Sequence, residues 1–296
     1  MARWTVGQRL KNDAIYRVIR ATLAVARRLP LPLAGALGAL AGRLGAWIAR
    51  SESRRAEEAC ARSLGLGQPE ARALARAAFA SLGRSALELC SALDRPDALL
   101  GRVSFSPEDR ARLDAALAER RGVVFVTAHL GSWELMAWAL ASMGYPIHTI
   151  AAPSYDPRLT RLLRRLRRER GVRSIWRSAP SAARRTLSVL RSGEILGALI
   201  DQSTRVPSVD VDFFGRPAPT PSGAAALALR TGAEVVAGFL TRRADRYDLR
   251  IRRLAVTRRG RDDVTANTAR MTRAIEEAIR GAPDQWVWMH RRWERR

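Results

Sequence analysis

The character of the chain changes at Pro96, and this change constrains the fold more than any other feature of the sequence. Before it, Ala and Leu recur at helical spacing, which predicts a wholly helical stretch over residues 14–100. Beyond it, short runs rich in Val and Ile alternate with helical patterns, as is typical of an α/β sheet with helices on both faces. We therefore expect a helical, membrane-associating N-terminal region over 1–100 and an α/β core over 101–296, packed as one structural unit.

The second region is predicted to contain seven strands and five helices. The strands are Val123–Ala128, Ile147–Ala151, Val172–Ile175, Ile195–Ile200, Val209–Phe213, Val235–Leu240 and Tyr247–Val256. The helices are Ser132–Met143, Pro157–Arg170, Ser181–Arg191, Ser222–Thr231 and Val264–Arg280. Ligands of such folds bind beyond the carboxyl ends of the strands, so residues that follow these strands are the first candidates for a functional site.

The net charge of the chain limits the classes of molecule that are expected to bind it. Its 296 residues include 52 basic and 28 acidic ones, a net charge of +24, and Lys11 is the one lysine. This charge favours nucleic acid, anionic lipid headgroups or an acidic carrier protein, without choosing among them. Cys60 and Cys90 lack the spacing of a metal site or a disulfide framework, so we expect reduced thiols, no metal and a cytosol-facing location.

Residues 14–49 are the candidate for membrane contact. Ile15, Val18 and Leu23 recur near helical spacing among arginines, which predicts a basic amphipathic helix. The following apolar run, residues 29–42, is shorter than the roughly 20 residues that a bilayer span needs, and it contains Pro and Gly. Two interpretations stay open: a helix that lies in a membrane interface, and a surface helix packed on the domain.

The segment from Val123 to Glu134 predicts the functional site. A buried strand ends in a polar turn that carries His129, and a helix follows with Glu134 in its first turn. Because Gly131 can bend the chain and Ser132 is a good N-cap, we expect Glu134 to reach back to one imidazole nitrogen. That contact would fix the tautomer and leave the other nitrogen to accept a proton from a hydroxyl. The alternative is a buried histidine capped by local groups.

Three further stretches contain candidate site residues. Asp201 closes a predicted strand, and Phe214 with Gly215 precedes a Pro/Thr turn; the alternative is a buried strand followed by an aromatic corner. The helix Pro157–Arg170 surrounds a leucine stripe with arginines, which predicts either a solvated basic face or a phosphate clamp. Residues 283–293 interleave tryptophan with cationic side chains, as expected for an interface or for a tail docked on the core.

Taken together, three blocks resemble the bacterial lipid A biosynthesis acyltransferases, the late lauroyl and myristoyl transferases within the lysophospholipid acyltransferase group. The blocks are Ala128-His-Leu-Gly-Ser-Trp-Glu134, Phe213-Phe-Gly215 with Thr220 and Gly223, and Pro283-Asp-Gln-Trp-Val-Trp-Met-His-Arg-Arg-Trp293. The resemblance implies a mixed, largely parallel central sheet flanked by helices, of the glycerol-3-phosphate acyltransferase type. The chain departs from the family where Ser132 replaces a common Asn and where Ala151–Pro157 replaces a Tyr-Arg pair, and both departures concern the acceptor.

The resemblance also implies an activity. The expected reaction moves a fatty acyl group from a thioester of acyl carrier protein or coenzyme A to a hydroxyl of a glycolipid, with a lipid A precursor as the first candidate. His129 is the expected base and Glu134 its acid partner. The candidate substrate-binding residues are Ser132, Arg170, Asp201, Phe214 and Gly215. Arg170 is expected to contact a phosphate and Asp201 to position the acceptor, and no cofactor beyond the thioester is expected.

The resemblance places the protein on the cytoplasmic face of a bacterial inner membrane, held by anionic lipids. Two alternatives keep the chemistry and change the acceptor, to a lysophospholipid or to a phosphatidylinositol mannoside. An alternative of another class is a basic nucleic-acid-binding protein with an α/β core, although the sequence contains no recognised nucleic-acid module. A hydrolase is a further alternative, but the sequence contains no Gly-x-Ser-x-Gly elbow to supply a nucleophile.

Overall fold

A computed structural model describes residues 4–258, 260 and 263–295 of the chain. The helices within them are α1 (Val6–Ala26), α2 (Leu31–Ile48), α3 (Arg50–Leu64), α4 (Gln68–Ser91), α5 (Pro96–Leu100), α6 (Pro107–Ala118), α7 (Trp133–Ser142), α8 (Pro157–Glu169), α9 (Ala182–Arg191), α10 (Gly223–Thr231) and α11 (Asp263–Gly281). The strands are β1 (Val103–Phe105), β2 (Val123–Thr127), β3 (Ile147–Ala151), β4 (Arg173–Trp176), β5 (Ile195–Leu199), β6 (Ser208–Phe213), β7 (Arg216–Pro221), β8 (Glu234–Arg243) and β9 (Arg246–Leu254).

Seven of these strands form one mixed sheet in the order β1-β9-β8-β2-β5-β3-β4. Neighbouring strands are parallel except β8 and β9, which pair antiparallel. The expected α/β fold, with a largely parallel sheet flanked by helices and a helical N-terminal region, is confirmed. Strand β2 lies near the middle of the sheet and is buried along its whole length, as parallel strands covered on both faces usually are.

The helical region and the sheet share their cores. On one face, Val124 and Leu196 pack with residues of α3, α4, α10 and α11. On the other face, Phe125 and Ile195 pack with residues of α2, α6 and α7. The alternation of β2 between the two faces explains why its first four residues are all apolar.

The sequence-based prediction missed three elements. Strand β1 is only three residues long, and α6 has a weak apolar pattern. The proline-rich segment Arg216–Pro221, expected as a turn, is strand β7, which pairs antiparallel with β6 in a separate two-stranded sheet. Both strands of such a sheet are edges, so every second backbone N–H points away from the partner, and alternating prolines are tolerated there.

Candidate active site

Two neighbouring parallel strands position the site. Thr127 at the end of β2 is paired in register with Leu199 at the end of β5. His129 lies two residues beyond Thr127, and Asp201 lies two residues beyond Leu199. Both side chains therefore emerge at the same carboxyl edge of the sheet. This is the edge at which α/β folds bind ligands.

His129 and Asp201 are joined through both carboxylate oxygens. The imidazole Nδ1 lies 2.9 Å from Oδ1, and the backbone N–H of His129 donates to Oδ2 at 2.8 Å. The indole Nε1 of Trp286 also donates to Oδ2, at 2.9 Å. A quarter of the His129 side chain is exposed, whereas the Asp201 side chain is completely buried. The imidazole is therefore held from the inside of the molecule and remains accessible from the outside.

The carboxylate determines the tautomer of the ring. Burial opposes the charge of Asp201, but the adjacent His129 and the hydrogen bonds from His129 and Trp286 outweigh it and lower the carboxyl pKa to about 2. An ionised carboxylate only accepts hydrogen bonds, so Nδ1 of His129 must carry the proton. Nε2 then has a free lone pair, which is the arrangement that a general base needs.

Glu134 does not contact the imidazole as expected from the sequence. Its carboxylate forms a two-point ion pair with Arg167 of α8, with Nε at 3.0 Å and a second, shorter contact from Nη2. The expectation of a Glu134–imidazole contact is corrected: the carboxylate on the ring belongs to Asp201, 72 residues away along the chain. The physical reason is the turn at Gly131, whose φ of +59° directs α7 towards α8 while the imidazole stays beside β5.

Ser132 occupies the N-cap position of α7 but does not cap the helix. Its φ and ψ are −114° and 73°, and its side chain makes no capping hydrogen bond. Thr5, which does cap α1, has the extended ψ of 162° that capping requires. The Ser132 hydroxyl is buried, and no partner for it is found among the described residues. A substrate contact by Ser132 stays a prediction that this conformation does not favour.

Phe214 and Gly215 form the two-residue turn between β6 and β7. Both have positive φ, 55° and 71°, as a tight hairpin turn requires. The backbone N–H of Phe214 donates to Glu276 of α11 at 2.6 Å, and its ring contacts Trp288. Within the described part of the chain neither residue contacts His129. Phe214 thus packs on α11 and the C-terminal segment, Gly215 is exposed, and a substrate contact by either residue stays a prediction.

Asp201 and Arg170 differ in how well their surroundings suit the roles expected from the sequence. The Asp201 carboxylate is buried against His129, so a contact with the acceptor stays a prediction that this position does not favour. Arg170 lies with its guanidinium 4.4 Å from the Trp138 ring, and its Nε is buried without a hydrogen-bond partner. No acidic side chain pairs with Arg170 among the residues described, so it is available to bind an anion.

An apolar cavity of about 130 Å³ lies beside the Glu134–Arg167 pair. Helices α1, α4, α7 and α8 enclose it. Its lining is Leu23, Leu89, Cys90, Leu93, Glu134, Trp138, Leu163, Leu166, Arg167, Arg170 and Val172. The cavity thus combines aliphatic walls with two arginines and one carboxylate at a position next to the turn that carries His129.

The C-terminal segment closes the site from the opposite side. Leu130, next to His129, forms an isolated antiparallel bridge with Trp286, whose side chain is buried. The guanidinium of Arg292 is also buried, and it donates to the Pro219 carbonyl at 2.7 Å and to the Thr220 hydroxyl. Of the two interpretations of this segment, docking on the core is the one that the structure shows.

Two polar partnerships were not identified from the sequence. The pairing of His129 with Asp201 left a signal, because each residue lies two positions beyond an apolar strand, but the signal is readable only once β2 and β5 are known to be neighbours. The pairing of Glu134 with Arg167 left none, since α8 contains several arginines with similar surroundings in the sequence. The Gln202 amide, which lies against the imidazoles of both His129 and His290, was also missed as a site residue.

Known proteins similar to this chain share one activity. The family model for bacterial lipid A biosynthesis acyltransferases matches residues 10–295. Two relatives are a lipid A biosynthesis palmitoleoyltransferase of Escherichia coli (strain K12) and a lipid A biosynthesis acyltransferase of Shigella flexneri. Each is 28% identical over 276 residues, which cover 91% of this chain and 87% of the relative. The chain therefore belongs to the bacterial lipid A biosynthesis acyltransferase family, and it is an acyltransferase.

Proposed function

We propose that this protein transfers a fatty acyl group from an acyl thioester to a hydroxyl of a glycolipid, and that the acceptor is a lipid A precursor. The observation that carries the proposal is the partly exposed imidazole of His129, oriented by a buried, ionised Asp201 at the carboxyl edge of the sheet. The names of the family and of the relatives support the same substrate class.

The proposed reaction begins when His129 Nε2 accepts the proton of the acceptor hydroxyl. The alkoxide oxygen attacks the thioester carbonyl and forms a tetrahedral oxyanion. The C–S bond then breaks, and the leaving thiolate takes the proton from Nε2, which returns the imidazole to its starting state. Asp201 stabilises the transient imidazolium through Nδ1, and no acyl-enzyme intermediate is formed.

The oxyanion needs hydrogen-bond donors close to His129. Helix α7 begins at Trp133, and its first N–H groups have no partner within the helix. The N-cap side chain does not satisfy them either. The helix dipole adds a partial positive charge at the same place. We propose that this end of α7 stabilises the oxyanion, which in acyl transfer is a large contribution to the rate.

Glu134 has a different role in this proposal from the one expected of it. By pairing with Arg167 it fixes the side chain that separates the imidazole turn from the apolar cavity. The cavity binds part of the acyl chain, since its aliphatic lining offers no hydrogen bonds to compete for a hydrocarbon. Arg170, at the same cavity, binds a phosphate of one of the two substrates.

The donor is proposed to be an acyl carrier protein, and coenzyme A is the alternative. An exposed basic surface covers α8, the end of β4 and the start of α9. Its arginines without an acidic partner among the described residues are Arg161, Arg164, Arg168, Arg177, Arg184 and Arg185. Because Arg177 directly follows the carboxyl end of β4, an acidic carrier docked here would present its thioester towards the edge of the sheet that carries His129.

The protein is proposed to work at the cytoplasmic face of the bacterial inner membrane. Its relatives are enzymes of lipid A biosynthesis, and the acceptor is itself a lipid. Anionic headgroups complement the net charge of +24. Two alternative acceptors would use the same chemistry, a lysophospholipid and a phosphatidylinositol mannoside. Mass spectrometry of the products distinguishes these two acceptors from a lipid A precursor.

The experiment is mass spectrometry of lipids after incubation with the purified protein and either a carrier-protein or a coenzyme A thioester. We expect the acyl mass increment on the lipid A precursor and not on the other two acceptors. His129→Ala should lower turnover more than 100-fold, within the range of general-base contributions. The matched control is His148→Ala, since His148 pairs with Glu194 at the opposite edge of the sheet. A His129→Ala variant that keeps a tenth of the turnover would exclude the assigned base.

A further inference from the structure

Helix α2 has two faces of opposite character. Six of its large apolar side chains are 40% to 73% exposed, and they are Leu33, Leu37, Leu40, Leu44, Trp47 and Ile48. At 100° per residue, the four leucines fall within a sector of about 60°. The glycines Gly35, Gly38 and Gly42 lie on the opposite side of the helix, together with the buried Leu31. One face of α2 is thus an exposed leucine stripe, and the other face consists mainly of glycine and alanine.

The glycine face locks α2 onto α4. A Cβ built on Gly35, Gly38 or Gly42 would lie within 3 Å of atoms of α4, so the two helices approach more closely than any larger residue allows. Helix α4 is in turn fixed to the sheet, because its buried Glu88 accepts a hydrogen bond from Tyr247 of β9. Helix α2 is therefore a fixed part of the body of the protein.

We propose that α2 lies in the plane of the membrane interface, with its leucine stripe in lipid, and does not span the bilayer. By length and apolar composition it is the candidate span among the described residues. A spanning α2 would have to take α4 into the hydrocarbon or separate from it. The first would bury Arg84 and Glu88 in lipid, and the second would expose the glycine backbone to it.

A lipid surface fits this face better than a second copy of the chain does. The first fifty residues contain nine basic residues and one acidic residue, Asp13, which already pairs with Arg158 of α8. Two copies joined through α2 would bring these like charges together. Anionic headgroups would instead pair with the cations while the leucines enter the acyl region, as in other amphipathic interfacial helices.

Helix α3 connects the end of α2 to the proposed site. It starts at Arg50, two residues after the exposed Ile48, and Arg55, further along α3, donates to the Met289 carbonyl at 3.2 Å. Met289 precedes His290, whose ring lies 5.7 Å from that of His129. If the proposed function holds, a lipid acceptor leaves the bilayer at this corner and reaches His129 without crossing water.

The experiment measures the membrane depth of fluorescent probes along α2. Full-length variants with a single introduced cysteine at Leu33, Leu37, Leu40 or Leu44 are labelled and bound to phosphatidylglycerol vesicles that contain lipids brominated at known depths. Burial raises the pKa of both native thiols, that of Cys60 to about 12, so they contain little of the reactive thiolate and should label weakly. Wild-type protein treated with the same label serves as the blank. Ser188→Cys on the exposed side of α9 is the control outside lipid.

We expect all four α2 probes to report the same shallow depth, roughly 5–10 Å into the headgroup and acyl boundary, and the Ser188 probe to show no quenching. A profile that is deepest in the middle of the helix and shallow at both ends would establish a span and overturn the proposal. If none of the four probes is quenched, the proposal is overturned as well, because the leucine stripe is then not in lipid.

A second experiment tests whether the acceptor reaches His129 from the bilayer near the end of α2. Leu37→Asp with Leu44→Asp should lower acyl transfer to a vesicle-borne acceptor at least tenfold, while transfer to the same acceptor in detergent stays within twofold of wild type. Equal loss in both assays would refute delivery from the bilayer. The depth profile does not depend on turnover, so failure of the proposed chemistry and failure of the in-plane helix give different results.

Discussion

The catalytic edge of the sheet and the surface formed by α2 and α8 are built on opposite principles. At the edge, the Asp201 carboxylate is buried, and its oxygens accept hydrogen bonds from His129 and Trp286. On the surface, the leucines of α2 are exposed, as are Arg161 and Arg168 of α8, and neither arginine has an acidic partner among the described residues. Under the proposed function, the groups that orient the base lie within the chain, whereas both substrates are delivered at surfaces that a carrier protein and a membrane complete.

Removing the charge of Asp201 should have the largest effect. Asp201→Asn keeps the shape and removes the acceptor that sets the tautomer of His129, so we expect kcat to fall about 10³-fold or more, as for orienting carboxylates of catalytic triads. Steady-state kinetics with the carrier-protein thioester measures it. Asp210→Asn, at an exposed ion pair with Arg295, is the matched control. Comparable losses in both variants would mean that the edge and the surface do not differ as described.

The same carboxylate should be visible in acid unfolding. Because the pKa of Asp201 in the folded protein is about 2, below the ordinary 3.8, ionisation of this group stabilises the fold above pH 3.8. That contribution disappears as the pH falls from 3.8 towards 2. The difference in unfolding free energy between wild type and Asp201→Asn should therefore shrink across this window, which urea titrations at several pH values can follow. A difference that stays constant would contradict the assigned pKa.

The ion pair between Glu134 and Arg167 should rank next. Arg167→Lys cannot restore two-point pairing with the carboxylate, so the two side chains that line the cavity lose their fixed positions, and we expect kcat/KM to fall about 10-fold. Arg121→Lys, which alters an ion pair with Glu234 at the amino edge, is the control. If Arg167→Lys retains wild-type kcat/KM, the pair has only a structural role.

Trp286 and Trp293 allow two indole hydrogen bonds of the C-terminal segment to be compared, one to the Asp201 carboxylate and one to a backbone carbonyl. Trp286→Phe keeps a ring in the core and removes the indole donor to Asp201. We expect kcat to fall about 10-fold, which corresponds to the lower end of the about 1.5–3 kcal/mol that a hydrogen bond to a charged group contributes. Trp293→Phe removes a donor to the neutral Phe213 carbonyl and should leave kcat unchanged. A kcat equal to wild type in Trp286→Phe would show that Asp201 needs no help from the tail.

The surface should give the smallest effect. Arg161→Gln with Arg168→Gln should raise KM for the carrier-protein thioester about 3- to 10-fold at low salt, with kcat unchanged, and the effect should vanish at high salt. A double substitution of the same charge, Arg243→Gln with Arg246→Gln, lies at the β8–β9 turn and serves as the control. The same KM increase with a coenzyme A thioester would indicate that the surface binds phosphate and not a protein.

Local patterns predicted most of the elements, because burial imposes periodicity on a strand or helix wherever it lies. Strand β3 has the expected bounds, α7 is one residue shorter than expected at each end, and α8 is one residue shorter at its carboxyl end. The prediction failed at β7, where prolines normally argue against a strand, because their tolerance depends on an edge position that only pairing creates. It also failed at Ser132, whose residue type suits a cap but whose backbone is set by its bond to Leu240.

The amino-acid sequence was enough to predict His129 as the base, to locate it in the turn after β2 and to indicate the family of the chain, since these depend on neighbours along the chain. The carboxylate that contacts the imidazole could be identified from the folded structure alone. His129 and Glu134 are five residues apart and pair with different partners, whereas Asp201 pairs with His129 because β5 lies beside β2 in register. Strand order arises from the packing of the whole sheet, so contacts between distant residues cannot be derived from local spacing.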